Sequence, residues 1–352
     1  MNIIISIVSF LIVLFIYLHI YYHIKISNYL EVYDIQNLSK ERLEDICNLR
    51  QPATFYLEVA CFELLLLENV KKEYGSFDIK LRDTSDNTTS ELYLPYILNK
   101  AVVAIKEKQY YSERNEDFLN ETSLLKILQV NDYFLRPSSL MTSTYDYLIG
   151  TESSQTPFRY DVCYRNYFVL LEGEALIKLT PPKNKKYLFT YKDYDNFEFR
   201  SPINPWNVQK QYQNNFDKIK CLDITLTKGK VLFIPAYWWY SIKFNSPETV
   251  ILNFKYKTYM NNITLFPDYF KSFLQKQNIK HVIIDSNNNI PHQNNPDINV
   301  SNLNIEDSNI NDIINNMQVS DVRDVRDVRD VRDVNEVGDI NSISTSTIND
   351  IN

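Results

Sequence analysis

Lys228 to Phe244 reads KGKVLFIPAYWWYSIKF. The Lys-Gly-Lys opening is a turn. Val231-Leu232-Phe233-Ile234 is a short apolar run with β-branched and aromatic residues, which reads as a buried strand. Pro235 ends the ladder because it carries no N–H. Tyr237-Trp238-Trp239-Tyr240 then leads into a second strand, Ser241 to Phe244. Two strands joined through a proline corner, with large aromatics at the bend, point to a barrel edge lining a pocket.

Working outward, short segments of the same character recur. They are Tyr145 to Ile149, Phe158 to Cys163, Phe168 to Glu172, Ala175 to Leu179, Tyr187 to Thr190, Cys221 to Thr227, Val231 to Ile234, Trp239 to Phe244 and Val250 to Tyr256. Strands at this spacing predict a sandwich or jelly roll. Helices flank them. Ser39 is an N-cap for a helix carrying Leu43, Ile46, Cys47 and Leu49, and Arg50 to Phe55 reads as a helix end and a strand. Glu58 to Lys72 is a second helix with Ala60, Leu64, Leu65 and Val70 inward. Phe77 to Leu81 is a strand, Arg82 to Ser90 a polar loop, and Leu94 to Lys106 and Phe118 to Gln129 are helical. Phe266 to Gln277 is a last helix. The class is mainly β with flanking helices (α+β).

The opening stretch resembles the closing motif of cupin-like and JmjC-type oxygenases, where Gly-Asp-Val-Leu-Phe-Ile-Pro precedes two tryptophans and a metal-binding His. Two further segments carry the resemblance in the same order. One runs from Leu148-Ile149-Gly150 through Thr156-Pro157-Phe158-Arg159-Tyr160-Asp161 to Asn166, Gly173 and Pro181-Pro182. The other is Ile251-Leu252-Asn253-Phe254-Lys255-Tyr256-Lys257. All look like the asparaginyl hydroxylase that inhibits hypoxia-inducible factor, over roughly Glu31 to Phe273. The resemblance implies a double-stranded β-helix (cupin/jelly roll), with Fe(II) and 2-oxoglutarate as cofactors.

An iron site of that kind needs two His and one carboxylate on one face. The resemblance puts those positions at Arg159, Asp161 and Tyr240. The carboxylate is kept; arginine has no lone pair to give a metal, and tyrosine is a poor ligand unless ionised. The four histidines are His19, His23, His281 and His292, so none lies between Ile24 and Lys280. The family's 2-oxoglutarate lysine falls on Ala175. Thr156, Asn166 and Asn253 match polar residues that contact the co-substrate, or else they satisfy buried backbone groups. Asp161, Cys163 and Glu172 could form another metal set, but too few ligands accompany them. Trp238 and Trp239 line a groove or fill the core, and one of each is expected. The expectation is no metal and no catalysis: Arg159 pairs with Asp161 in place of the ion, Tyr240 bonds the same carboxylate, and the domain binds a protein or a small acid. The alternative is an Fe(II)/2-oxoglutarate-dependent protein hydroxylase.

Ile3 to Tyr22 is apolar and long enough to cross a bilayer. Without a basic start or a small-residue cleavage site, it reads as an uncleaved anchor rather than a signal peptide. Lys25 follows it, which places the domain in the cytosol by the positive-inside rule. The Asn-X-Ser/Thr tripeptides at Asn87, Asn120 and Asn262 point to the lumen only if they are used. Residues 1–26 are thus the anchor, 27–284 the cupin-like domain, and 285–352 a disordered tail in which DVR repeats from Asp321 to Arg332. That repeat is a slippage product or a binding segment. Net charge is -7, against the basic footprint of a nucleic-acid binder. Four scattered cysteines, Cys47, Cys61, Cys163 and Cys221, give no disulfide framework. In the family a C-terminal helix builds a homodimer; plain packing is the other reading of Phe266 to Gln277. The abundance of Ile, Asn, Lys and Tyr, together with the anchor, resembles cupin-like proteins of giant DNA viruses, which implies a virion or host membrane.

Overall fold

The computed structural model describes residues 2–58, 60–83, 94–107, 110–152, 154–194 and 196–288. Among them, the strand Lys230–Pro235 lies inside a nine-stranded sheet, between Ala53–Tyr56 and Arg165–Glu172. A strand with neighbours on both edges and cover on both faces should be apolar throughout. Val231 and Phe233 join one core cluster, Leu232 and Ile234 another. The rest of that sheet continues through Thr249–Thr258, Leu140–Gly150, Tyr110–Ser112, Asp78–Asp83 and Leu94–Ile97, with Tyr33–Asp34 at the other edge.

Past Pro235 the chain crosses to a second, six-stranded sheet. Its order is Tyr191–Asp193, Glu198–Arg200, Arg159–Tyr160, Trp239–Phe244, Ala175–Thr180, Leu222–Leu226. The corner is held by Tyr237, whose φ is 63°. That left-handed geometry costs a non-glycine residue about 1–2 kcal/mol, offset in part by its N–H donating to the Asp161 carbonyl at 2.7 Å. Gly173, at φ 79°, makes the turn between Arg165–Glu172 and Ala175–Thr180. At Gly150 a Cβ would lie 2.3 Å from the Phe244 ring, so only glycine lets the two sheets come this close.

Period-two alternation then sorts the side chains. Inward residues of both sheets, among them Leu170, Leu232, Ile251, Ile177, Ile242 and Phe244, share one core. Outward residues of the larger sheet pack on the flanking helices through Leu43, Phe62, Val70, Ala101 and Leu119. Outward residues of the smaller sheet, with Trp239 and Phe199, pack under Leu265 of the last helix.

Several elements differ from expectation. Ser39 does cap the helix Lys40–Leu49, accepting from the Arg42 N–H. The next helix is instead a 3₁₀ turn, Ala60–Leu65, followed by Leu67–Tyr74. Leu65 and Val70 point inward, whereas Ala60 and Leu64 are exposed. Arg82 and Asp83 belong to a strand, and residues 84–90 of the expected loop lie outside the described residues. Leu94–Ile97 is a strand ahead of the helix Leu98–Glu107, and Glu116–Glu121 and Leu125–Asn131 are separate helices. The Tyr187 to Thr190 strand is a 3₁₀ turn over Pro182–Tyr187 with a strand after it.

The helix Asn2–Ile24 contains the apolar span Ile3–Tyr22, none of whose residues is buried. The last helix runs Tyr259–Asn288, across the expected 284/285 boundary. The DVR repeat and the tail from residue 289 on lie outside the described residues, as does Asn87.

Candidate functional site

At one end the shared interior stops being apolar. The same alternation that turns Ile251 inward turns Asn253 and Lys255 inward, and with Phe244 and Ile242 it turns Tyr240 inward. Tyr240 lies opposite Arg159 and Asn253 opposite Asp146. Charged and amide groups therefore converge between the sheets.

Arg159 does not pair with Asp161, which corrects the sequence expectation. Its guanidinium makes a two-pronged contact with Glu113, Nη1 donating to Oε1 at 2.9 Å and Nη2 to Oε2. Nη1 also stands 3.6 Å from Glu198. Arg82 Nη1 donates to Glu113 and Glu198 at 2.9 Å each, Arg114 reaches Glu198 at 3.3 Å, and the Tyr111 hydroxyl donates to Glu113 at 3.1 Å. Glu113, Glu198, Arg82 and Arg159 are all buried. Burial alone would raise the Glu113 pKa, but Arg159, Arg82 and Arg114 outweigh it and hold the carboxyl well below its usual range.

Asp161 lies just past the two-residue strand Arg159–Tyr160, not on the longer Phe158 to Cys163 strand expected. Its Oδ2 accepts from the Tyr240 hydroxyl at 2.6 Å and from the Asn166 amide at 3.0 Å. Lys255 Nζ donates to Oδ1 at 3.3 Å. Enclosure pushes this carboxyl up, yet Lys255, Tyr240 and Arg159 bring it below its ordinary value. Burial and the Asp161 charge push the Tyr240 phenol up, so it stays neutral and donates. Lys255 is kept charged: burial would lower it, and Asp161 and Tyr240 outweigh that.

The remaining candidates divide. Asn253 lies beside this cluster, its amide donating to Asn166 at 2.6 Å and to the Tyr167 carbonyl at 2.9 Å. Thr156 instead ties the chain to the neighbouring strand: its Oγ1 accepts from the Ile242 N–H at 2.9 Å and its carbonyl accepts from Ser241. Ala175 is buried among apolar side chains of the shared core. Trp238 and Trp239 are both fully buried, one in each of two clusters, so neither lines a groove. Cys163 is buried and its thiol is pushed up to about 11, as for an inert core cysteine. Glu172 is taken up by the Leu67 N–H at 2.8 Å. Among the described residues no three His, Cys, Asp or Glu side chains are grouped as a metal would need.

Two cavities adjoin the cluster. One of about 40 Å³ lies among Glu113, Arg159, Asp161, Glu198 and Lys255. The other, of about 340 Å³, is lined by Lys80, Arg114, Glu116, Asp146, Lys255 and Lys257 among others. Sequence reasoning did not find Glu113, Glu198 or Arg82. The only signal was a charge beside aromatics, in Tyr110-Tyr111-Ser112-Glu113 and Phe197-Glu198-Phe199.

Two sheets around a shared interior, closed by the Pro235 corner, are the architecture of a cupin-like protein. The cupin-like domain family matches residues 71–262, over half of the chain, and the chain belongs to that family. Its curated relatives include HSPB1-associated protein 1 of Rattus norvegicus, 30% identical over 106 residues, which are 30% of this chain and 22% of the relative. The Homo sapiens protein of that name is 28% identical over 137 residues, 39% of this chain and 28% of the relative. The Danio rerio homolog is 27% identical over 106 residues, 30% of this chain and 24% of the relative. The chain thus spans about a quarter of the length of these relatives.

Proposed function

We propose that this chain is a membrane-anchored cupin-like domain that has given up oxidation and serves as a binding or structural module. One observation carries the reading: at the position the family gives to a metal-binding His stands Arg159, buried and ion-paired to Glu113 and Glu198.

The residues present do not fit Fe(II). A ferrous centre of this type needs two imidazoles and a carboxylate with open positions, and here one donor of three is of the right kind. That donor, Asp161, already faces Tyr240, Asn166 and Lys255. Two fixed cations beside it, Arg159 and Lys255, oppose a dication. Nor do the residues fit 2-oxoglutarate. Ala175 has no charge for its distal carboxylate, and Arg159 is taken up by Glu113.

Family membership supports the other reading, a hydroxylase, and Asn166 and Asn253 remain near Asp161. Succinate release separates the two. Purified full-length chain with Fe(II), ascorbate and 2-oxoglutarate is expected to give no succinate above a no-enzyme blank; stoichiometric or catalytic release would overturn the proposal.

The anchor would be Ile3–Tyr22, holding a cytosolic domain at a virion or host membrane. A homodimer would use the last helix, where Tyr259, Ile263, Phe266, Phe270 and Phe273 are exposed at alternating spacings of four and three residues. Sedimentation of the chain in detergent as a monomer at all concentrations would remove the dimer.

A further inference from the structure

The cavity of about 340 Å³ at the open end of the sheets contains charges of both signs, and most are already neutralised. Lys80 meets Asp117 at 2.6 Å, Arg114 meets Glu198 at 3.3 Å, and Lys255 meets Asp161 at 3.2 Å. Asp146 accepts three backbone N–H bonds, from Arg114, Asn115 and Tyr147, at 2.7–2.8 Å. Two lining groups remain. No carboxylate of the described residues stands within ion-pair distance of Lys257, and no cation within that distance of Glu116.

Lys257 is nonetheless held in place. Its Nζ donates to the Tyr269 hydroxyl at 3.1 Å and lies 5.4 Å and 5.7 Å from the Tyr269 and Phe197 ring centroids. Tyr269 is fixed in turn by donating to Asn262 at 2.8 Å. A partly enclosed ammonium whose hydrogen-bond partner is neutral gains from an incoming anion, because water competes less there than at the surface. Glu116, exposed and with Asp117 and Asp146 near it, gives a cation an acidic end of the cavity. It comes from a different element, the helix Glu116–Glu121, whereas Lys257 lies near the end of the strand that carries Asn253 and Lys255.

We infer that this cavity binds a small zwitterion of the amino-acid class, its carboxylate on Lys257 and its ammonium on Glu116. The inference deepens the reading of the domain as a binding module and rests on it. Arg159, which Glu113 and Glu198 already neutralise, takes no part in this site. The balance of charge selects the ligand: a simple acid would leave Glu116 unmatched, and a simple amine would leave Lys257 unmatched.

The test is calorimetric titration of the full chain in detergent micelles at low salt. The probes are β-alanine, 4-aminobutyrate and 6-aminohexanoate, with butyrate and butylamine as one-ended controls. At least one amino acid is expected to bind roughly tenfold more tightly than either control, the factor that about 1.4 kcal/mol of added ion pairing gives. Lys257→Met and Glu116→Gln should each remove that margin while thermal unfolding shows both variants folded. No binding by any of the three, a control that matches them, or variants that keep the margin would each overturn the inference. Succinate release measured on the same preparation keeps the two proposals apart. Turnover with zwitterion binding sinks only the non-oxidative reading, and no turnover with no binding sinks only this one.

Discussion

Replacing Arg159 with methionine removes the guanidinium that joins Glu113 to Glu198 and leaves a side chain of similar length. Breaking a buried ion pair by deleting one partner costs about 3–5 kcal/mol, since the other charge stays buried. Here the low end applies. Glu113 keeps Arg82 at 2.9 Å and the Tyr111 hydroxyl at 3.1 Å, and Glu198 keeps Arg82 and Arg114. A loss of about 3 kcal/mol in a domain of this size lowers the Tm by about 6–12 °C. Intrinsic fluorescence reports it well, because Trp238 and Trp239 are buried at the same corner. Removing Arg159 leaves the buried cluster one cation short, so neutralising an acid as well, in Arg159→Met with Glu113→Gln, should restore part of the loss, since an amide costs less to bury than an excess carboxylate. A single variant whose Tm falls by less than about 1 °C would refute the reasoning. Arg159 would then be reaching solvent rather than filling the interior.

Tyr240→Phe deletes the hydroxyl 2.6 Å from Asp161 and should cost about 1.5–3 kcal/mol, the range for a hydrogen bond to a charged group. NMR should also show the Asp161 carboxyl titrating higher, because Tyr240 helps to hold it down; an unmoved titration would refute the contact. Glu113 and Asp161 both have folded pKa values below their unfolded ones, so their stabilisation is complete above about pH 5, beyond the unfolded values, and is lost as pH falls through the folded values. Glu44 and Glu248 are also lowered, while Asp146 and Glu116, raised chiefly by burial, work in the opposite sense, so urea midpoints should drop toward pH 3 with the lowered acids outweighing the raised ones. A midpoint that is level from pH 6 to pH 3 would contradict this. Deleting Ile3–Tyr22 should move the chain from the carbonate-resistant membrane pellet to the soluble fraction; a full-length chain released by carbonate would remove the anchor.

The fold was legible because its signals are local. The run Val231 to Ile234, the proline after it and the aromatic bend define two strands and a crossing, and the chain forms Lys230–Pro235 and Trp239–Phe244. Where short elements hinge on tertiary cover, local pattern failed. Leu94–Ile97 is a strand because it pairs with Asp78–Asp83, a partnership invisible within its own residues. The same holds for the site. Arg159, Asp161 and Tyr240 could be placed by motif and strand period, and Tyr240 does reach Asp161. The partner of Arg159 could not be placed that way. Glu113 lies 46 residues before it, and Glu198 meets Arg82 across 116 residues. Ion pairing between strands of two sheets is set by how the sheets stack, and spacing along the chain does not encode that.

On the proposed reading, an organic cation network, not a metal, organises this interior. Crystals of the protein soaked in Mn(II), with anomalous diffraction recorded, test it most directly. No anomalous peak is expected at Asp161, with continuous density from Arg159 to Glu113. A peak within ligand distance of the Asp161 carboxylate, with Arg159 or Lys255 swung aside, would contradict it.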